Sequence, residues 1–213
     1  MRALSLLLLL GSAVATMGAS GSPSPTPGEC TAERGVASLC IYRSLLPSAG
    51  IVASCRDEHT CRVGSYYGNP TDAVWWTPPP GVAALPRPEV IWLTAILAQV
   101  RFDCVHPCSW SYFFEAKRRR QSEPRRSVLA VDATRLLMAV PEDRALLVRQ
   151  VFSGREVARI ERGWAPAPWL GDVITALHFD PDGRLSLTWL RGTERVAVSE
   201  RVSVPSVPRS QPE

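Results

Sequence analysis

The six cysteines have the most clearly defined chemistry in this chain. An even number of cysteines in an exported protein is typical of disulfides, and six cysteines allow fifteen connectivities. Short sequence separation favours pairing each cysteine with its neighbour in the chain. The expected pairs are therefore Cys30–Cys40, Cys55–Cys61 and Cys104–Cys108.

Metal binding is the alternative chemistry, with His59 and His106 close to the cysteines. Structural zinc sites usually pair cysteines separated by about two to four residues. The spacing from Cys55 to Cys61 is longer, and an oxidising compartment favours disulfides over thiolate ligands. The sequence therefore predicts disulfides and neither a metal site nor a cofactor.

A dense basic cluster is the next candidate. Six cations fall within one short stretch of the chain: Lys117, Arg118, Arg119, Arg120, Arg125 and Arg126. Such a cluster attracts anionic groups, although a solvated loop between two strands also explains it. The formal net charge of the chain is only +4, so we expect no nucleic-acid partner.

Two aromatic pairs form the other candidate binding surface, Tyr66-Tyr67 and Trp75-Trp76. Adjacent side chains of an extended segment cannot both point into one core. At least one aromatic of each pair is therefore expected to be exposed, where it offers contact area to a sugar or a protein. Packing against the neighbouring prolines is the plainer explanation and the favoured one.

Catalytic motifs are missing from the sequence. It contains no G-x-S-x-G, no HExxH and no glycine-rich phosphate loop. His178 lies on a predicted strand, and Asp132, Asp180 and Asp182 lie in predicted turns, where aspartate is common. We predict no catalytic residue. A hydrolase built from residues 57–68, His178 and the turn aspartates is the less favoured alternative.

The first residues predict export. Arg2 precedes a short apolar run from Leu4 to Ala15, and small residues follow as possible cleavage sites. The run is too short for a membrane span, which needs about 20 apolar residues. We therefore expect a cleaved signal peptide over residues 1–19 and a periplasmic or secreted mature protein without a membrane span.

Composition divides the rest of the chain into four parts. Residues 20–28 and 205–213 are rich in Pro and Ser and predict disordered segments. Residues 29–88 contain four cysteines and many prolines and predict a loop-rich region held by disulfides. Residues 89–204 alternate apolar and polar positions between glycine-containing turns, which predicts an antiparallel all-β domain.

Within that domain, residues 127–160 and 172–204 share a layout of short strands and polar turns, and a weaker copy begins at Val90. Units of about 40 residues with up to four strands are typical of propeller blades. The segments Ala145–Ile160 and Phe179–Leu185 resemble blades of WD-repeat and related propellers. The resemblance implies a scaffold that presents surfaces to partners. Three units are fewer than a propeller needs, so an incomplete propeller, a sandwich or a barrel are the folds expected.

Together these patterns predict an exported, non-enzymatic binding module. Its expected partner is a protein or an anionic or glycan ligand outside the cytoplasm. A periplasmic inhibitor or immunity protein acting on an exported hydrolase is the alternative, with a loop near Tyr66–Gly68 as the segment expected to protrude.

Overall fold

The computed structural model describes residues 26–31, 38–46, 48–79, 82, 85–103 and 109–206. In these residues the chain forms antiparallel strands, joined by turns and two short 3-10 helices, Pro70–Asp72 and Leu170–Val173. The strands are β1 Glu29–Thr31, β2 Ser38–Arg43, β3 Ala49–Asp57, β4 Thr60–Tyr67, β5 Val74–Trp75, β6 Glu89–Trp92, β7 Leu97–Asp103, β8 Ser109–Glu115, β9 Arg120–Gln121, β10 Arg125–Arg126, β11 Ala130–Asp132, β12 Leu137–Glu142, β13 Ala145–Gln150, β14 Glu156–Ile160, β15 Ile174–Phe179, β16 Arg184–Arg191 and β17 Val196–Ser203.

The strands form four antiparallel sheets that follow one another along the chain. Sheet I contains β1–β5, sheet II β6–β10, sheet III β11–β14 and sheet IV β15–β17. Within each sheet, strands that are consecutive in sequence pair with each other, except that β10 pairs with β8 instead of β9. The predicted all-β class and antiparallel meander are confirmed.

Residues 29–88, which the sequence predicts to be loop-rich, contain the five strands of sheet I, and these strands were not predicted. Glycines and prolines in the sequence suggested turns. However, Gly50 and Gly64 lie inside β3 and β4, where a Cβ atom would collide with the carbonyl oxygens of Tyr42 and Val74. In this sheet glycine allows close approach of backbones rather than a turn. The structure therefore has a fourth sheet where the sequence predicted three units.

Two of the expected disulfides are present, Cys30–Cys40 and Cys55–Cys61. The members of each pair lie directly opposite each other in register, on β1 and β2 and on β3 and β4. The bridges therefore join neighbouring strands of sheet I instead of fastening loops. Cys104 and Cys108, with their predicted bridge, lie outside the described residues.

Three apolar cores join each sheet to the sheet that follows it along the chain. The first lies between sheets I and II, the second between sheets III and IV, and the third between sheets II and III. Alternate residues of one strand serve different cores: Tyr112 and Phe114 belong to the first core, whereas Phe113 belongs to the third. Likewise Leu137 faces sheet IV and Met138 faces sheet II. This is the period-two geometry of a strand buried on both faces.

Sheet IV differs from the two sheets before it because one of its faces is exposed. In β16 the core residues Leu185, Leu187 and Trp189 are buried and alternate with partly exposed polar ones. The alternation of apolar and polar residues in this part of the sequence therefore corresponds to a sheet that is buried on one face only, at the end of the stack. In contrast, β12 and β13 begin with four consecutive buried residues.

None of the helices in the described ranges has the length and apolar character needed to cross a membrane. The predicted signal peptide at residues 1–19 lies outside these ranges, as do residues 20–25 of the predicted tether and 207–213 of the predicted tail.

Candidate functional site

The structure divides the basic cluster into two groups. Residues 117–119 form the turn after β8, and Arg120 begins β9, which pairs with the end of β8. Arg125 and Arg126 form β10, which pairs with the opposite end of β8 at Ser111 and Trp110. About four residues of β8 separate the two pairings, which is roughly 13 Å along a strand. The six cations therefore do not form one continuous patch.

Most of the arginines in the first group, residues 117–120, contact other residues of the protein. The Arg120 Nε atom lies 2.6 Å from Glu115 Oε2, and its guanidinium lies 3.8 Å from the ring centroid of Phe152, in the turn between β13 and β14. Arg118 lies 3.5 Å from the same carboxylate, and the Arg119 guanidinium lies 4.9 Å from the ring of Tyr67 in sheet I. These arginines connect sheet II with the sheets on either side of it.

We expect Arg120→Ala to lower the free energy of unfolding by about 1–2 kcal/mol, because it leaves the buried Glu115 carboxylate with the more distant Arg118 alone. Lys117→Ala is the matched control, since this side chain is exposed in the same turn, and it should change stability by less than about 0.5 kcal/mol. Urea unfolding of both variants measures the difference. Equal stabilities would show that Arg120 is a surface charge only.

The second group borders a cleft between sheets II and III with a volume of about 480 Å³. This size lies within the range of about 300–1,000 Å³ that is typical of small-molecule sites. The charged and aromatic residues that line it are Trp110, Arg125, Arg126, Glu142, Asp143, Arg149 and Trp169.

Arg125 reaches from β10 to the turn after β13. One of its terminal nitrogens donates a hydrogen bond to the Phe152 carbonyl oxygen at 3.4 Å. The guanidinium lies against Gly154, where a Cβ would come within 2.8 Å of it. Gly154 has a positive φ of 69°, so glycine satisfies both the turn and the space that Arg125 needs.

Arg149, on β13, is the second cation inside the cleft, and it forms an ion pair of 2.7 Å with Glu142. The Nε atoms of Arg125 and Arg149 are both buried, and neither has a hydrogen-bond partner within the part of the chain that the structure describes. Burial lowers the pKa of Arg125 below its usual value; the Glu123 carboxylate opposes this shift and the charge of Arg149 adds to it. The cleft therefore brings three arginines together, a composition that attracts an anionic ligand.

Strained backbone also borders the cleft. Ser127 and Asp143 have φ values of 53° and 53°, in the left-handed region that non-glycine residues seldom adopt. Both residues line the cleft. Arg119, Leu136 and Arg195 have the same conformation in turns away from the cleft, so positive φ values alone do not mark the cleft as a functional site.

The aromatic pairs lie elsewhere, on sheet I. Tyr66 and Trp76 are buried, and Tyr67 packs on Phe114 with ring centroids 5.7 Å apart. Trp75 is 37% exposed, with the guanidinium of Arg62 at 4.7 Å from its ring. One member of the tryptophan pair is thus exposed and the other buried. Trp75 and Trp76 border a second cavity of about 350 Å³, which the basic cluster does not reach.

His178 belongs to a polar network on sheet IV. Its Nε2 atom lies 3.2 Å from Asp180 Oδ1, and Asp180 Oδ2 accepts hydrogen bonds from Ser186 at 2.8 Å and Arg201 at 2.9 Å. The Ser186 bond is the main cause of the lowered pKa of Asp180, with Arg201 adding to it. The serine hydroxyl is directed to the carboxylate rather than to the imidazole, so the arrangement differs from a nucleophile–base pair. This network borders neither cavity.

Sequence reasoning found Arg125 and Arg126 and missed the other ionic groups of the cleft, Glu142, Asp143 and Arg149. These residues lie on a different sheet from β10, and nothing in their local sequence links them to it. The Asp143-Arg144 turn between β12 and β13 was the one local signal, since aspartate tolerates a positive φ.

The sequence matches no protein-family model, and neither a curated protein nor a solved structure is significantly similar to it.

Proposed function

We propose that this chain is an exported, non-enzymatic binding module whose cleft between sheets II and III takes an anionic ligand. The observation that carries the proposal is that three arginines, Arg125, Arg126 and Arg149, line a cleft of small-molecule size. A cluster of guanidinium groups attracts an anionic ligand and can donate charge-assisted hydrogen bonds to it.

Charge balance also supports this ligand class. Arg125, Arg126 and Arg149 outnumber the two carboxylates of the cleft, Glu142 and Asp143. Burial and, to a lesser degree, the charge of Arg149 lower the pKa of Arg125, and a bound anion would oppose this shift. The predicted signal peptide and the two disulfides fit a protein that folds outside the cytoplasm. As the resemblance to WD-repeat propellers implies, the sheets serve as a scaffold for the binding surface.

The proposal predicts that the mature protein binds inorganic phosphate or glucose 6-phosphate in isothermal titration calorimetry, with an affinity that falls as salt is added. Arg149→Gln should weaken binding by about tenfold or more, because it removes a charged donor from the cleft. It also removes both the ion pair with Glu142 and the repulsion on Arg125. These two effects on stability have opposite signs, so we expect stability to stay within about 1 kcal/mol of that of the parent protein. Arg126→Gln provides a second variant, on β10.

Arg155→Gln is the matched control, because Arg155 is exposed in the turn after β13 and does not border the cleft. Its binding should equal that of the parent protein. If Arg149→Gln and Arg155→Gln lose the same amount of affinity, the loss is due to the general surface charge of the protein, and the proposal is contradicted. The absence of binding to both probes at low salt would also contradict it.

A further inference from the structure

The cleft that we propose as an anion site has a further feature, the indole of Trp169. Trp169 immediately precedes the 3-10 helix Leu170–Val173 and lines the cleft in a partly buried position. Its six-membered ring lies across Gly171, where an added Cβ would overlap the ring atoms. Glycine at this position therefore allows the observed position of the indole.

The two carboxylates restrict the ligand in a different way. Glu142 and Asp143 lie at the end of the β12–β13 hairpin and border the same cleft as the arginines. Carboxylate oxygens accept hydrogen bonds from hydroxyl groups and repel additional negative charge. The cleft therefore favours a ligand with one anionic group and several hydroxyls over a polyanion.

The volume of the cleft also favours a hydroxylated ligand with one anionic group. A cavity of about 480 Å³ is within the range of sites for ligands with many non-hydrogen atoms, so a single inorganic anion between the arginines would leave most of it empty. An indole offers a flat apolar face with a polar edge. Such a face suits the C–H groups of a saturated ring whose hydroxyls point outward.

Building on the proposed function, we infer that the ligand is an acidic sugar, a pyranose that carries one carboxylate or phosphate group. Its acidic group binds between Arg125 and Arg149, its ring packs on Trp169, and its hydroxyls donate to Glu142 and Asp143. Sugar carboxylates and sugar phosphates share this chemistry, because both are anions of monosaccharide size with a hydroxylated ring.

Calorimetric titration of the mature protein with glucuronate, glucose 6-phosphate, glucose and inorganic phosphate tests the inference. At least one acidic sugar should bind about tenfold or more tightly than both glucose and inorganic phosphate, because only an acidic sugar uses the arginines and the indole together. If inorganic phosphate binds as tightly as the acidic sugars, the anion site stands and the sugar inference fails. If glucose binds as tightly as they do, or nothing binds, the proposed function fails as well.

Gly171→Ala tests the role of the indole separately. The methyl group would displace Trp169, so affinity for the preferred acidic sugar should fall about tenfold while affinity for inorganic phosphate is unchanged. Gly163→Ala is the matched control, since its Cβ would meet only Arg191 at an ordinary contact distance of 3.6 Å. Unchanged sugar affinity in Gly171→Ala would overturn the stacking role. Thermal unfolding of both variants identifies any loss that is due to misfolding.

Discussion

Phe113→Ala is expected to lower the free energy of unfolding by about 3–5 kcal/mol, the usual cost of truncating a fully buried phenylalanine. Phe113 is completely buried, and it is the buried residue that sheet II contributes to the core shared with sheet III. The cavity left by its ring would be bordered by Met138, Leu147 and Val151 of the sheet III region. Four sheets stacked in series depend on each interface, so this loss would affect the whole stack.

Leu45→Ala is the control for Phe113→Ala. Leu45 is also a large apolar side chain, but it is 83% exposed, so its truncation should change stability by less than about 0.5 kcal/mol. Urea unfolding followed by tryptophan fluorescence measures both variants. A cost below about 1 kcal/mol for Phe113→Ala would mean that sheets II and III do not share a packed core.

Gly64→Ala has the second largest expected effect, a loss of about 2–3 kcal/mol from overpacking between two backbones. The added Cβ would lie 2.5 Å from the Val74 carbonyl oxygen on β5, which cannot move aside as a flexible side chain can. Strand β5 has only two residues and is the element expected to shift. Trp76 follows it directly and packs on Tyr112, with ring centroids 5.2 Å apart, so the shift would also disturb the first core.

Gly163→Ala serves again as the control, because its Cβ would make no contact closer than 3.6 Å. We expect it to be neutral or to stabilise the protein by up to about 1 kcal/mol, since alanine restricts the unfolded chain more than glycine does. Thermal unfolding of both variants measures the difference. Near-native stability of Gly64→Ala would show that β5 does not lie against β4 as the structure places it.

The arginines show how far composition can mislead. All but one of the chain's 24 Lys and Arg residues are arginine, which by itself suggests no structural role. In the structure, Arg119 and Arg120 lie over aromatic rings of other sheets, and Arg135 of the β11–β12 turn lies 5.6 Å from the ring of Phe179 in sheet IV. A planar guanidinium can stack on a ring and donate hydrogen bonds at its edge, which a lysine ammonium cannot do in the same geometry.

The sequence by itself determined the strand-forming character of residues 89–204 and the pairing of the two observed disulfides. Both depend on local properties, the period-two burial of a strand and the proximity of cysteines along the chain. The strands of sheet I were not recognised, because their glycines allow close backbone approach, a property that depends on residues distant in sequence. Only the tertiary structure decided that Arg125 of sheet II and Arg149 of sheet III lie in one cleft, since packing between sheets brings them together.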